Sequence, residues 1–393
     1  MVLSEPLEFR PDRDREVLAS VPSAAAVFVL RSHDPADEPY VSKTRNLRRR
    51  LERLLGSPGE HARRLNLRDR VAQIEYRSTA SEFESAFFLY KLLRSTFPKT
   101  YARRLRLRLP PLIKLHFDNQ YPRVSVTTRL GRRHGRTVYY GPFPSRVAAE
   151  RYANDSLDLF KMRRCVDDLR PDPKFPGCVY SEMKMCLAPC FQGCTDAEYQ
   201  AEVARVEAYL ESGGESLLRE ISSRRDAASA SLEFERAAGL HAQLEKITSL
   251  RGQRPEIVHR IDQMRGVIVQ ASAYPEAVNL FRLEAGVVAD PLSFPIRAEE
   301  HTKSQSMEAR VSAALARIPP AGARTALETM EHLALVGRWY YRSHRAGQVL
   351  FADSHGVLPL RRIVRGIAGV YRGEPSEAGG EKSGGVSPLP DPS

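Results

Sequence analysis

No stretch of the 393-residue chain approaches the roughly eighteen consecutive apolar residues that a bilayer-crossing helix needs. A helical membrane span is therefore excluded. The first twenty residues, MVLSEPLEFRPDRDREVLAS, lack the apolar core of a secretion signal and carry acids throughout. Export is not expected, and a cytoplasmic location is. Cysteine is scarce: the chain has five, all between Cys165 and Cys194. In a reducing compartment such a local group reads as metal ligands rather than as a disulfide framework. The final stretch, GEPSEAGGEKSGGVSPLPDPS, has no aromatic residue and is rich in Gly, Pro and Ser. It cannot build a core, so residues 374–393 are expected to be disordered.

What is present points toward a polyanion. Lysines and arginines outnumber acids to give a net charge of +12, with a pI near 9.6. Such a balance suits nucleic acid better than a membrane surface. With 42% hydrophobic residues the chain can bury real cores, and its length predicts two to four of them. AAAVFVL (24–30) reads as a buried strand, and a second short strand falls around Tyr40. From Thr44, Leu47, Leu51 and Leu55 recur every four residues, predicting an amphipathic helix with Arg48, Arg49 and Arg53 turned outward. VAQIEYRST alternates like a strand. Ser81 and Glu84 form a capping box that opens a helix ending before Pro98. RRLRLRLP (103–110) alternates as a strand with an arginine face. Residues 109–161 are β-rich and lead to a helix from Ala148. Helices follow over 196–211, 215–230 and 233–250, the last two as a hairpin.

Several short motifs keep one order: AVF, PYVSKTRNLRRRL, ASEFESAFFLYKLLRSTFPK, YYGPFPS, CLAPC and LEFERAAGLHAQL. Together they resemble the N-terminal half of the UvrC family of bacterial excinucleases, which includes the Cho-like proteins, over roughly residues 20–250. The resemblance implies an α+β chain. Its expected spans are a lead-in (1–19), a small GIY-YIG-type nuclease-like domain (20–104) and a β-rich connector (105–164). A Cys-rich segment (165–195), a helical region with a UVR hairpin (196–252) and a mixed α/β region (253–373) without a complete RNase H-like domain follow.

Carried over position by position, the family's second motif tyrosine is Tyr40, its lysine Lys43 and its arginine Arg50. Seven residues apart, Lys43 and Arg50 are expected on one helical face, converging on one phosphate. The first motif tyrosine falls at Phe28 and the motif glycine at Ser42. The metal-binding glutamate falls at Leu89, expected as a core residue, and the asparagine at Tyr101. Phosphodiester hydrolysis needs an activated water and usually a hard cation such as Mg²⁺ or Mn²⁺ held by carboxylate. The implied site thus keeps its phosphate-binding cations without its metal centre. Glu82 and Glu84 are the substitute carboxylates that an active endonuclease would need. Arg45, Arg49, Arg103, Arg104 and Arg106 are candidate DNA-backbone contacts.

Cys165, Cys178, Cys186 and Cys190 are separated by twelve, seven and three residues. Four thiolates suit either tetrahedral zinc or an iron–sulfur cluster. The resemblance favours [4Fe–4S], with Cys194 a bystander. It also implies UvrB as partner for the hairpin, through Phe234, Glu235, Arg236, Ala238 and Leu244, with damaged double-stranded DNA as ligand and UvrA as an indirect partner. His241 stands where the family has arginine. The implied function is DNA binding beside UvrB in nucleotide excision repair. A working endonuclease and a nucleic-acid adaptor outside repair are the alternatives.

Overall fold

A computed structural model describes residues 3–57, 65–131, 136–166, 168–297, 304–320, 322 and 324–374. The tail expected to be disordered lies outside the described residues, apart from Glu374. Among those residues no helix is long and apolar enough to cross a membrane. Along the N-terminal part run β1 (Leu7–Glu8), α1 (Asp14–Ser20), β2 (Ala26–Ser32), β3 (Tyr40–Thr44), α2 (Leu47–Leu55), β4 (Val71–Ser78), α3 (Glu82–Thr96) and α4 (Tyr101–Leu105). The strands form an antiparallel sheet in the order β1-β4-β2-β3. β2 reads as a continuous apolar run because both of its faces are covered. Ala26, Phe28 and Leu30 join Leu18, Leu47, Leu51 and Leu55 in one buried core. Val27 and Val29, pointing the other way, are also buried.

Two boundaries differ from the sequence reading. The basic helix starts at Leu47, not Thr44, because the Asn46 side chain accepts a hydrogen bond from the Arg49 amide (2.9 Å) and caps it there. The arginine-rich stretch after Lys99 is not a strand. It forms the short α4, closed by Arg106 in the left-handed region (φ 50°). Its alternation survives only as exposure, with Arg106 and Arg108 outward and Leu107 and Leu109 half-buried.

The middle of the chain holds β5 (Leu112–His116), β6 (Arg123–Thr127), β7 (Thr137–Gly141), α5 (Arg146–Leu157), α6 (Val179–Glu182), α7 (Asp196–Ser212), α8 (Glu215–Ala230), α9 (Phe234–Gln253) and β8 (His259–Arg260). β6-β5-β7-β8 is a second antiparallel sheet. α8 and α9 pack together as the expected hairpin.

The remainder forms β9 (Arg265–Ala271), β10 (Ala277–Glu284), β11 (Val287–Val288), β12 (Leu292–Pro295), α10 (Met307–Arg317), α11 (Ala326–Tyr340), β13 (Gln348–Phe351) and α12 (Leu360–Arg372). Here β11-β10-β9-β13 is antiparallel, with β12 also on β10. One face, with Val267, Val269, Val278 and Leu280, packs on α10 and α12. The sheet is mixed with helices throughout, as the α+β expectation required.

The chain divides into two compact units. One comprises the described residues of Met1–Pro110, Thr128–Arg132 and Ile261–Pro375; the other comprises those of Pro111–Thr127 and Arg133–Arg260. In the first, α3 is buried nearly all round. Phe83 meets Phe281 of β10 edge-on (centroids 5.1 Å) and lies 5.1 Å from the ring of Trp339 on α11. Phe87 and Tyr90 meet the His332 ring at 5.8 and 5.3 Å.

His332 is 4% exposed, and its Nδ1 accepts from the Val288 amide (3.0 Å). Burial lowers its pKa from 6.5 to about 4. The folded state therefore binds this proton less readily than the unfolded chain. Its stabilising contribution is present above pH 6.5 and is lost as pH falls toward 4. Urea unfolding followed by the emission of Trp339, the single tryptophan, should show a loss of at most about 3 kcal/mol from this residue across that window. His332→Gln should flatten the slope. An equally steep variant would remove His332 as the cause.

Candidate nucleic-acid site and cysteine segment

Register decides which of the carried-over residues meet. Tyr40 lies opposite Leu30 and Ser42 opposite Phe28, so Tyr40 shares the face of Phe28 and packs toward α2. Its ring is 6.0 Å from that of Phe28. The Arg50 guanidinium donates to the Tyr40 hydroxyl at 2.7 Å. Phe28 is fully buried, so this position is a packing site for a bare ring.

Lys43 is an odd number of residues from Tyr40 on the same strand and faces the other way, toward α3. Its ammonium donates to Glu82 at 2.7 Å. The expectation that Lys43 and Arg50 share a helical face is thus corrected. Lys43 precedes the Asn46 cap and belongs to β3, while Arg50 belongs to α2. Arg48 is also not merely solvated, because it donates to the carbonyls of Ala19 and Val21 at the end of α1. Arg45, Arg49, Arg103 and Arg106 are exposed. Arg104 pairs with Glu38 (2.8 Å) and lies 3.8 Å over the Phe97 ring.

Leu89 is not the plain core residue expected. It is half-buried and lines a pocket of about 140 Å³ together with Lys43, Glu82, Arg104, Arg338 and Arg342, among others. Glu82 is the pocket's acid, and Lys43 holds it below the usual carboxylate range with help from Arg342 at 3.3 Å. Glu84 is unsuited to replace a missing metal ligand. It is 3% exposed, accepts from the Ala80 amide and from Asn279 (3.0 Å each), and burial pushes its pKa up. Sequence reasoning missed Arg338, Arg342 and Glu331, which come from α11 and the turn after it.

Glu331 is 2% exposed and accepts from both Tyr90 (2.8 Å) and Tyr101. Burial, then this carboxylate, pushes the Tyr101 hydroxyl up to about 12. Arg94 bridges the same helices, donating to Tyr90 (3.0 Å) and pairing with Glu328 (2.5 Å). Tyr101 is therefore a donor to a buried carboxylate rather than a polar group facing the pocket.

The five cysteines are free and partly buried. Burial raises the Cys186 thiol to about 11, and Cys165, Cys190 and Cys178 all add to the rise. Cys194 is raised by burial and then by Glu198, Asp196 and Cys190. Lys184, Ala188 and Gln192, flanking Cys186 and Cys190, are non-glycine residues with φ of 56°, 57° and 63°. Among the described residues no three His, Cys, Asp or Glu side chains are arranged to hold a metal.

On the hairpin, Leu244 is buried in line with Leu240, Ile247 and Leu250. It packs inside and is withdrawn from the candidate partner-binding set. Phe234 (67% exposed) and Leu232 (71%) stand open at the tip, with Glu235, Arg236 and Ala238 exposed beside them.

Residues 111–209 match the family described as UvrC/Cho excinuclease, middle domain. The chain is similar to "UvrABC system protein C" of Ruegeria sp., with 24% identity over 86% of this chain and 48% of that protein. With the protein of the same name from Symbiobacterium thermophilum the identity is 30%, over 63% and 39%. With that from Idiomarina loihiensis it is 29%, over 55% and 35%. The matched region spans between about a third and a half of each of these relatives. No solved structure matches. The resemblance read from the motifs is borne out: the chain is similar to UvrC proteins, and residues 111–209 match the UvrC/Cho middle domain.

Proposed function

We propose that the chain binds damaged double-stranded DNA in nucleotide excision repair, beside UvrB, on a GIY-YIG-type scaffold that has lost its nuclease chemistry. The carrying observation is Leu89. By the motif resemblance it falls at the family's metal-ligand position, and it lines a pocket whose acid, Glu82, is already neutralised by Lys43 and Arg342. A hard divalent cation is held by carboxylate charge, and the one carboxylate lining this pocket is already shared by two cations. What survives is positive charge. The exposed Arg45, Arg49, Arg103 and Arg106 can neutralise phosphates without any metal.

Cys165, Cys178, Cys186 and Cys190 would hold a four-thiolate group such as [4Fe–4S], with zinc the alternative, only after drawing together, since they form no metal-holding group among the described residues. Supporting this are the confinement of the four to one short segment and the left-handed residues around two of them. Such residues cost energy and persist only where their surroundings over-determine them. A bound cluster would supply that determination. The open hairpin tip, with Phe234 at its start, supports a helical partner surface for UvrB.

DNA affinity should survive EDTA and fall steeply with salt. Arg49→Ala or Arg103→Ala should reduce the salt slope by roughly one phosphate contact. Nicking of a lesion duplex in Mg²⁺ or Mn²⁺, with and without UvrA and UvrB, should be absent; robust metal-dependent cutting would overturn the degenerate-nuclease reading. Phe234→Ala should weaken UvrB association by roughly 1–3 kcal/mol, as loss of a buried aromatic anchor does. Unchanged affinity with an intact fold would leave the hairpin a purely internal element. Anaerobically purified protein should be brown, and Cys186→Ser should bleach it. Colourless protein with stoichiometric zinc would replace the cluster with that ion.

A further inference from the structure

The pocket beside Leu89 has a composition that a vacated metal site alone does not explain. Four cations, Lys43, Arg104, Arg338 and Arg342, face one carboxylate, Glu82. Three of them have acidic partners: Lys43 and Arg342 share Glu82, and Arg104 takes Glu38. Arg338 is exposed and has no partner among the described residues. The opposite wall is carbon: Leu89, Leu105, Leu335 and Trp339. Trp339 and Leu335 are themselves buried, the indole N–H donating to the Ala346 carbonyl (2.9 Å) and its ring lying against Phe83 and the Arg345 guanidinium, so the carbon open to a ligand is that of the half-buried Leu89, Leu105 and Leu107.

Size narrows the ligand. The pocket's volume of about 140 Å³ lies well below the roughly 300–1,000 Å³ of sites that enclose a whole small molecule. It suits one projecting group of a larger polymer. Cationic rim and apolar wall together match a nucleotide, its phosphate on the rim and its base on the wall.

We propose that this pocket holds one unpaired nucleotide displaced from a DNA duplex. The base lies against Leu89, Leu105 and Leu107, with Trp339 behind them, and its phosphate is bound by Arg338 and Arg342. This rests on the DNA-binding reading above and gives it a ligand geometry. It assigns the walls of α11 a binding role independent of any metal. Because the wall offers no edge for base-specific hydrogen bonds, recognition is of displacement rather than sequence. Taking a base out of the stack costs least where pairing is already broken, so occupancy follows distortion of the duplex.

Trp339 is the single tryptophan and sits in the wall, so its fluorescence reports this pocket alone. The full chain, in EDTA, is titrated with a duplex carrying one extrahelical thymidine and with the same duplex carrying an abasic residue there. Fluorescence anisotropy of the labelled DNA follows total binding in parallel. The expected result is saturable quenching by the thymidine duplex, with binding on the order of tenfold tighter than to the abasic duplex. Arg338→Ala, an exposed substitution, should lose most of that preference. Leu89→Phe, which narrows the pocket, should lose it while keeping general DNA affinity. Equal binding of the two duplexes, or a preference unchanged in both variants, overturns the pocket assignment while anisotropy still upholds DNA binding. Absence of any anisotropy change sinks the DNA-binding reading, and the proposed ligand with it.

Discussion

One helix, α3, has almost no face free for water. Phe83, Phe87 and Tyr90 line one face of it, Phe88 and Leu92 the opposite one, and all five are buried. A helix apolar on every side must be enclosed. Here the N-terminal sheet covers one side, while Phe281, His332 and Trp339 from the C-terminal segment cover another. This enclosure determines the rest of the unit. It presents Leu89 and Glu82 to β3 and α11, and it draws Tyr90 and Tyr101 onto Glu331.

The polar contacts inside the enclosure explain why it holds together so specifically. Glu331 is a buried carboxylate that has accepted from two hydroxyls, and Glu84 is one that has accepted from an amide and an asparagine. A buried acid left unpartnered would be strongly destabilising, whereas a fully satisfied one adds geometric selectivity to apolar packing. Tyr101 therefore has a clear reason to be tyrosine. Its hydroxyl completes a buried acceptor contributed from far along the chain, where a shorter amide would not reach through the same aromatic layer.

Local chemistry was legible in the sequence, and long-range chemistry was not. The run AVFVL announced β2, Ser81 announced the start of α3, and the leucine spacing announced α2, because each signal depends on near neighbours. The position of Lys43 was misjudged by a few residues, since Asn46 caps the helix later than the leucine pattern implied. Leu89 looked like core because nothing nearby hinted that Lys43, Arg338 and Arg342 would gather in front of it. Leu244 looked like partner surface, but the i, i+3 and i+4 pattern with Leu240, Ile247 and Leu250 was already that of an inner face. The family resemblance could be read from short motifs. Glu331 could not be found that way, since its partners lie hundreds of positions upstream.

The same separation has a consequence during synthesis. Tyr90 and Glu331 are 241 positions apart, so at about 5–20 residues per second roughly 12–48 s pass between the helix leaving the ribosome and its cover arriving. Throughout that interval the aromatic side of α3 has no native surface to bury against. The nascent chain must carry this sticky helix while the whole 111–260 segment is made, and a holding chaperone would find its substrate there. The time this protein spends exposed is set by the order of its segments along the message, whatever its final stability.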